Sequence, residues 1–277
     1  MKTLIKNNKG FDFKDILYKK ESIKDFSIPI HIEKDYELFN KKWNSKERND
    51  FFRNQDNLCI SNFYIKDKKI YLNFCEAKYI ERQIYAECFS MMNDLDKEMF
   101  LSDFHANKIK APMSYKFQIG IITKDNKILI LKRSNKVTMN KGKYDFSISK
   151  NAKPEDVIPK TFQPYNTVLR GLKEELNIDI EFKDALKEEI ISLKSIFLNN
   201  ESFALTIYAE VDLRKSSQNL TSEEIEKLMK DAKNNWEYAD VLFIENSPVK
   251  IKKEVKSILN KFTNSSINQI ESLLEKK

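Results

Sequence analysis

Glycine is scarce: four in 277 residues, at Gly10, Gly120, Gly142 and Gly171. That excludes a GxGxxG dinucleotide turn and a P-loop ending in Lys-Ser/Thr, because both need clustered glycines where backbone meets phosphate. Histidine is scarcer still. With only His31 and His105, a zinc site has almost no ligands to draw on. Cys59, Cys75 and Cys88 form no CxxC, and an odd count gives no disulfide framework. No window approaches the ~18 consecutive apolar residues of a membrane span. The start, MKTLIKNNKGFDF, lacks the apolar stretch of about 7–15 residues that marks a signal peptide. These absences lead to the expectation of a reducing, cytoplasmic setting with no membrane partner.

What is present is a core-building composition: 41% hydrophobic and 12% aromatic residues. A chain of this length is expected to fold as two units. Its formal charge of +7 favours anionic partners. The surplus is concentrated. Between Lys108 and Arg170 there are 14 lysines and arginines against four acids, a net of +10 that exceeds that of the whole chain. A positive field of this kind suits a phosphate-bearing small molecule. It would also suit RNA or DNA, but no nucleic-acid-binding motif accompanies it, and a lysine-, asparagine- and isoleucine-rich composition explains part of the charge.

A short polar stretch with Pro112, at 106–114, divides the chain. Before it, 34–50 carries Tyr36, Phe39 and Trp43 at helical spacing, 58–64 and 69–74 read as a strand hairpin, and 78–95 reads as a helix. This gives an N-terminal α+β domain, 1–110, with a substrate-selecting or dimerising role. After it come a hairpin (115–123, 127–133), a third strand (143–149) and a proline-bearing stretch. A helix (165–177), two strands (189–198, 202–211), a helix capped by Thr221 with Glu224, a strand (238–245) and a helix from Pro248 to about Phe262 complete the pattern. That order predicts an α/β/α sandwich on a mixed sheet over 113–262, followed by a helical tail, 263–277.

The chemically loaded segment is Arg170-Gly171-Leu172-Lys173-Glu174-Glu175-Leu176-Asn177-Ile178. On a helix, 171, 174 and 175 share a face. Adjacent carboxylates repel unless a cation offsets them, and oxygen ligands of this type suit Mg²⁺ or Mn²⁺. A solvated helix face would carry the same residues. Arg170 lies one turn before Glu174 and could orient a carboxylate or reach a phosphate.

This segment resembles the signature helix of the Nudix hydrolases, G-x5-E-x7-R-E-U-x-E-E-x-G-U with U aliphatic; Arg170, Leu172, Glu174, Glu175 and Ile178 match in register. The element order matches too. The resemblance implies a pyrophosphohydrolase acting on a nucleoside diphosphate linked to another moiety. Glu174, Glu175 and Glu155 would hold Mg²⁺ or Mn²⁺, Arg170 would position a carboxylate, and Lys132, Arg133 and Tyr144 would contact substrate. Gly171 stands where the family carries a glutamate, and Asn177 replaces the helix-ending glycine, an exchange that the left-handed conformation tolerates. Ser149-x5-Glu155 keeps the internal spacing of the upstream half, but fourteen residues rather than seven separate Glu155 from Arg170. The general base is left open among Glu155, Glu201 and the metal's own water. The segment 72–87 faintly resembles the UDP-sugar diphosphatase branch of the superfamily. The alternative is a catalytically impaired Nudix-like domain kept as a nucleotide-binding sensor or scaffold. An isopentenyl diphosphate isomerase relative is not expected, since that branch carries a catalytic cysteine within the fold and all three cysteines here precede residue 113.

Overall fold

A computed structural model describes residues 2–11, 16–23, 25–29, 32–45, 55–67, 69–137, 140–146, 148–157, 163–199, 201–256, 259–263 and 266. It is a mixed α/β fold built on one large sheet. The first half contributes β1 (Lys2–Phe11), β2 (Ile16–Lys20), α1 (Glu33–Ser45), β3 (Asp56–Lys66), β4 (Lys69–Lys78), α2 (Tyr79–Met91) and α3 (Asp94–His105). The second contributes β5 (Met113–Ile122), β6 (Lys127–Arg133), β7 (Tyr144–Asp145), β8 (Ile148–Asn151), α4 (Gln163–Leu176) and α5 (Phe182–Lys187). It continues with β9 (Ile191–Asn199), β10 (Ala204–Asp212), α6 (Ser222–Met229), β11 (Tyr238–Glu245) and α7 (Pro248–Lys256).

The main path through the sheet runs β1-β9-β10-β5-β3-β4-β2. Its centre is β5, which pairs in parallel with β10 from Ser114↔Ala204 to Ile122↔Asp212. Along its other side β5 changes partner, taking β3 at Ser114, β8 at Ile119↔Ile148 and β6 at Ile122↔Ile128. The sheet therefore does not break at 106–114: strands from both halves belong to one hydrogen-bonded framework. They also share one core, in which Trp43, Phe74 and Tyr85 join Phe117, Ile119, Leu172 and Leu205. A second cluster, under α7, unites Ile128, Ile130, Phe146, Ile251 and Phe262.

Several elements differ from expectation. The helix expected over 78–95 is two helices, because Asn93 caps a second one: its Oδ1 accepts from the Asp96 amide at 2.9 Å. The third strand expected over 143–149 is split. Tyr144–Asp145 pairs with β6, while Ile148–Asn151 crosses to β5. Thr221 caps α6, accepting from the Glu224 amide at 3.3 Å. The strands β1 and β2 were not legible, and most of the tail expected at 263–277 lies outside the described residues. Among the described residues no helix is long and apolar enough to cross a membrane.

Candidate functional site

α4 is amphipathic through the spacing of its apolar residues. Val168, Leu172 and Leu176, four apart, are fully buried against the sheet. That fixes the rotation of α4 and turns Arg170, Glu174 and Glu175 towards β8 and the turn at Pro154–Asp156. Asn177 closes the helix in the left-handed conformation, φ 57°, with the Ile178 amide returning to the Leu172 carbonyl at 3.2 Å.

Asp156 is the hub beside the helix. It is 3% exposed. Its carboxylate takes Arg170 in two-pronged fashion, Nε to Oδ1 at 2.8 Å and Nη2 to Oδ2 at 2.9 Å. It also accepts from the Thr167 hydroxyl at 2.8 Å and the Lys153 amide at 2.9 Å. Arg170 Nη2 further donates to the Asn151 carbonyl at 2.7 Å, which ties the helix to β8. Glu155 turns the other way. Its side chain is 63% exposed and meets Lys153 Nζ at 3.3 Å.

The two carboxylates of the box are brought together, around an ammonium group. Lys150 Nζ lies 2.8 Å from Glu174 Oε2 and contacts Glu175 Oε1, with its side chain only 10% exposed. Glu174 also accepts from Arg170 Nη1 at 3.3 Å. Glu175 is 1% exposed and accepts from Asn234 Nδ2 at 3.0 Å. Burial opposes the charge on Lys150, but Glu175 and Glu174 outweigh it and hold the ammonium above its ordinary pKa. Burial likewise opposes ionisation of Glu174, yet Lys150, Arg170 and Lys153 bring its carboxyl below the usual range. Glu237, next along, feels burial and the charge of Glu175 and is pushed up to about 7, partly offset by Lys150 and Arg133.

Gly171 completes this arrangement. A methyl group added there would lie 3.0 Å from Ile119 Cδ1 and 3.1 Å from Lys150 Cγ. The lysine stem thus runs over the face of the helix that the missing side chain leaves bare. The expected substrate-contacting residues are divided. Lys132 and Tyr144 face each other across β6 and β7, with Lys132 Nζ 5.8 Å from the Tyr144 ring, and Tyr144 packs on Phe262 of the second cluster rather than on α4. Arg133 pairs with Asp145 at 3.6 Å, and its charge reaches Glu237.

No protein-family model matches this chain, and no curated protein does. Its fold is similar to that of solved Nudix hydrolases. A Nudix hydrolase from Alicyclobacillus acidocaldarius aligns at 12% identity and a TM-score of 0.38, over 58% of this chain and 91% of that one. The MutT protein from Methanosarcina mazei aligns at 14% identity and a TM-score of 0.34, over 58% and 91%. A bifunctional NMN adenylyltransferase/ADP ribose pyrophosphatase from Francisella tularensis, solved with AMP and a manganese ion, aligns over 72% of this chain at 11% identity and a TM-score of 0.38. This chain spans 49% of that enzyme's length.

A divalent ion of the kind the box implies needs oxygens free to ligate it. Here Lys150 already places one positive charge between Glu174 and Glu175, leaving Glu175 Oε2 as the one buried carboxylate oxygen of the pair with no hydrogen-bond partner; Gly171 offers no oxygen, and Glu155 reaches the site only through Lys153, whose Nζ is 3.9 Å from Glu174 Oε1. Among the described residues no three His, Cys, Asp or Glu side chains converge to hold a metal. The donor set does not fit the ion. Sequence reasoning missed Lys150, Asp156, Asn234 and Glu237; for Asp156 the available signal was its place beside Glu155 in a Pro-started turn.

Proposed function

We propose that this chain is a Nudix-like binding domain for a diphosphate-bearing, nucleotide-type ligand, without metal-dependent turnover of it. The observation that carries this reading is the ammonium of Lys150 between Glu174 and Glu175. A carboxylate pair that already has its counter-ion inside the protein gains little from Mg²⁺, and without the metal no strong electrophile acts on phosphorus. The surplus of ten positive charges between Lys108 and Arg170 supports an anionic ligand.

A second reading, metal-dependent hydrolysis of a nucleoside diphosphate linked to another moiety, is favoured by Glu237. A carboxyl group poised near neutrality beside Glu175 is suited to proton transfer. There Mg²⁺ or Mn²⁺ would sit on Glu174 and Glu175, with Arg170 positioning them. One experiment separates the two. The intact chain is incubated with ADP-ribose, UDP-glucose, diadenosine tetraphosphate and ATP, each with Mg²⁺ or Mn²⁺, and product release is measured beside thermal stabilisation. Stabilisation by one ligand with no product supports a binding domain. Metal-dependent product that disappears in Glu175→Gln establishes the hydrolase instead.

A further inference from the structure

We infer that Lys150 is the resident cation of this site, seated between Glu174 and Glu175 where a divalent ion would otherwise bind, and that Gly171 is what admits it. The inference rests on the binding reading above and explains it at the level of two residues.

The geometry is set by the sheet. Lys150 of β8 pairs with Phe117 of β5, which places both on the face that α4 covers. From there the stem runs to the carboxylates over Gly171, its Cγ 3.1 Å from the site of a β-carbon. A glutamate at 171 and the Lys150 stem would therefore compete for one volume. The acid missing at 171 and the base present at 150 occupy neighbouring space. The charge follows the same logic. Two adjacent carboxylates at low exposure are costly without a counter-charge, and Lys150 supplies one, 2.8 Å from Glu174 Oε2 and in contact with Glu175 Oε1. A divalent ion approaching the same oxygens would meet an ammonium already there, and like charges a few ångströms apart in a poorly solvated site repel strongly.

The converse is a latent metal site. Lys150→Met keeps the apolar stem, removes the charge and leaves Glu174 and Glu175 facing each other with no cation between them. The test is a titration of the intact chain with Mn²⁺ alone, read by the electron paramagnetic resonance signal of the free ion. The wild type should leave that signal unchanged. Lys150→Met should take up about one ion per chain, at least about tenfold more tightly than any wild-type uptake. Lys150→Met with Glu175→Gln should lose it again. Uptake by the wild type that Glu175→Gln abolishes would overturn the inference, and so would a folded Lys150→Met that takes up nothing. Should circular dichroism show Lys150→Met unfolded, the wild-type titration decides alone: Glu175-dependent uptake overturns the inference and its absence supports it. Because no nucleotide is present, the outcome is separate from the turnover experiment, whose failure would sink the binding reading instead.

Discussion

Asp156 and Arg170 form a two-pronged ion pair with both members largely buried, and it joins the turn before the signature helix to the helix itself. Breaking such a pair leaves an uncompensated charge where water cannot reach it. Asp156→Ala should therefore destabilise the fold by about 3–5 kcal/mol, with Asp156→Asn costing less because it keeps an acceptor. Urea denaturation midpoints check this. A loss under about 1 kcal/mol would show that the turn is held by something other than Arg170.

Lys116 sits opposite Asn151 on β5 and is half-buried. Burial is the main reason its pKa is lowered to about 8, with Arg82 and Arg133 adding to it and Asp145 opposing. A lysine whose folded pKa lies below its unfolded value costs stability wherever both states are charged. Between about pH 8 and the unfolded value near 10.5 Lys116 holds its proton better in the unfolded chain, so its own contribution to stability should rise with pH across that window, against the buried thiols of Cys59, Cys75 and Cys88, whose raised pKa values work in the opposite direction. Lys116→Met should remove this contribution and stabilise the protein at pH 7 by about 1–3 kcal/mol. A stability difference between Lys116→Met and wild type that stays constant from pH 8 to 10 would refute it.

Asp125 gathers the β5–β6 turn and the start of α6. It accepts from the Ser222 amide at 2.8 Å, the Ser222 hydroxyl at 2.7 Å and the Thr123 hydroxyl at 2.7 Å, with Lys127 at 2.9 Å. Burial opposes its charge, yet these hydrogen bonds outweigh it and hold the carboxyl well below its usual range. Its contribution is present above the unfolded pKa and is lost as pH falls through the folded value. Asp125→Ala should cost about 1–3 kcal/mol at pH 7, and the gap from wild type should narrow in strong acid. Thermal melts at pH 7 and pH 2.5 would show whether it does.

At position 171, alanine and glutamate should behave very differently. The neighbours of an added methyl are the tip of Ile119 and the stem of Lys150, both able to shift, and alanine gains about 1 kcal/mol of helix propensity. Gly171→Ala should thus be neutral to within about 1 kcal/mol. Gly171→Glu should lower the melting temperature clearly, and Lys150→Gly in the same chain should restore much of it. No recovery in the double variant would mean that the two residues do not share space.

The local features were legible in the sequence: the rotation of α4 from Val168, Leu172 and Leu176, the hairpins, and Asn177 as a left-handed stop. Each depends on residues within one or two turns. The features that decide the chemistry were not. Whether Lys150 faces α4 or solvent depends on its register against Phe117, more than thirty positions earlier, and a one-residue slip would reverse it. Glu155 and Asp156 are chemically alike and adjacent, and only the turn at Pro154 determines which of them points inward. The period of α2 continues past its end, so Asn93 as a cap was hidden by apolar spacing that α3 carries on.

β1 and β2 follow one another in the chain yet stand at opposite ends of the seven-strand path. Laid flat, six strand spacings would separate them by about 29 Å. The chain from Phe11 to Ile16 spans at most about 18 Å even when fully extended. The path therefore does not lie flat.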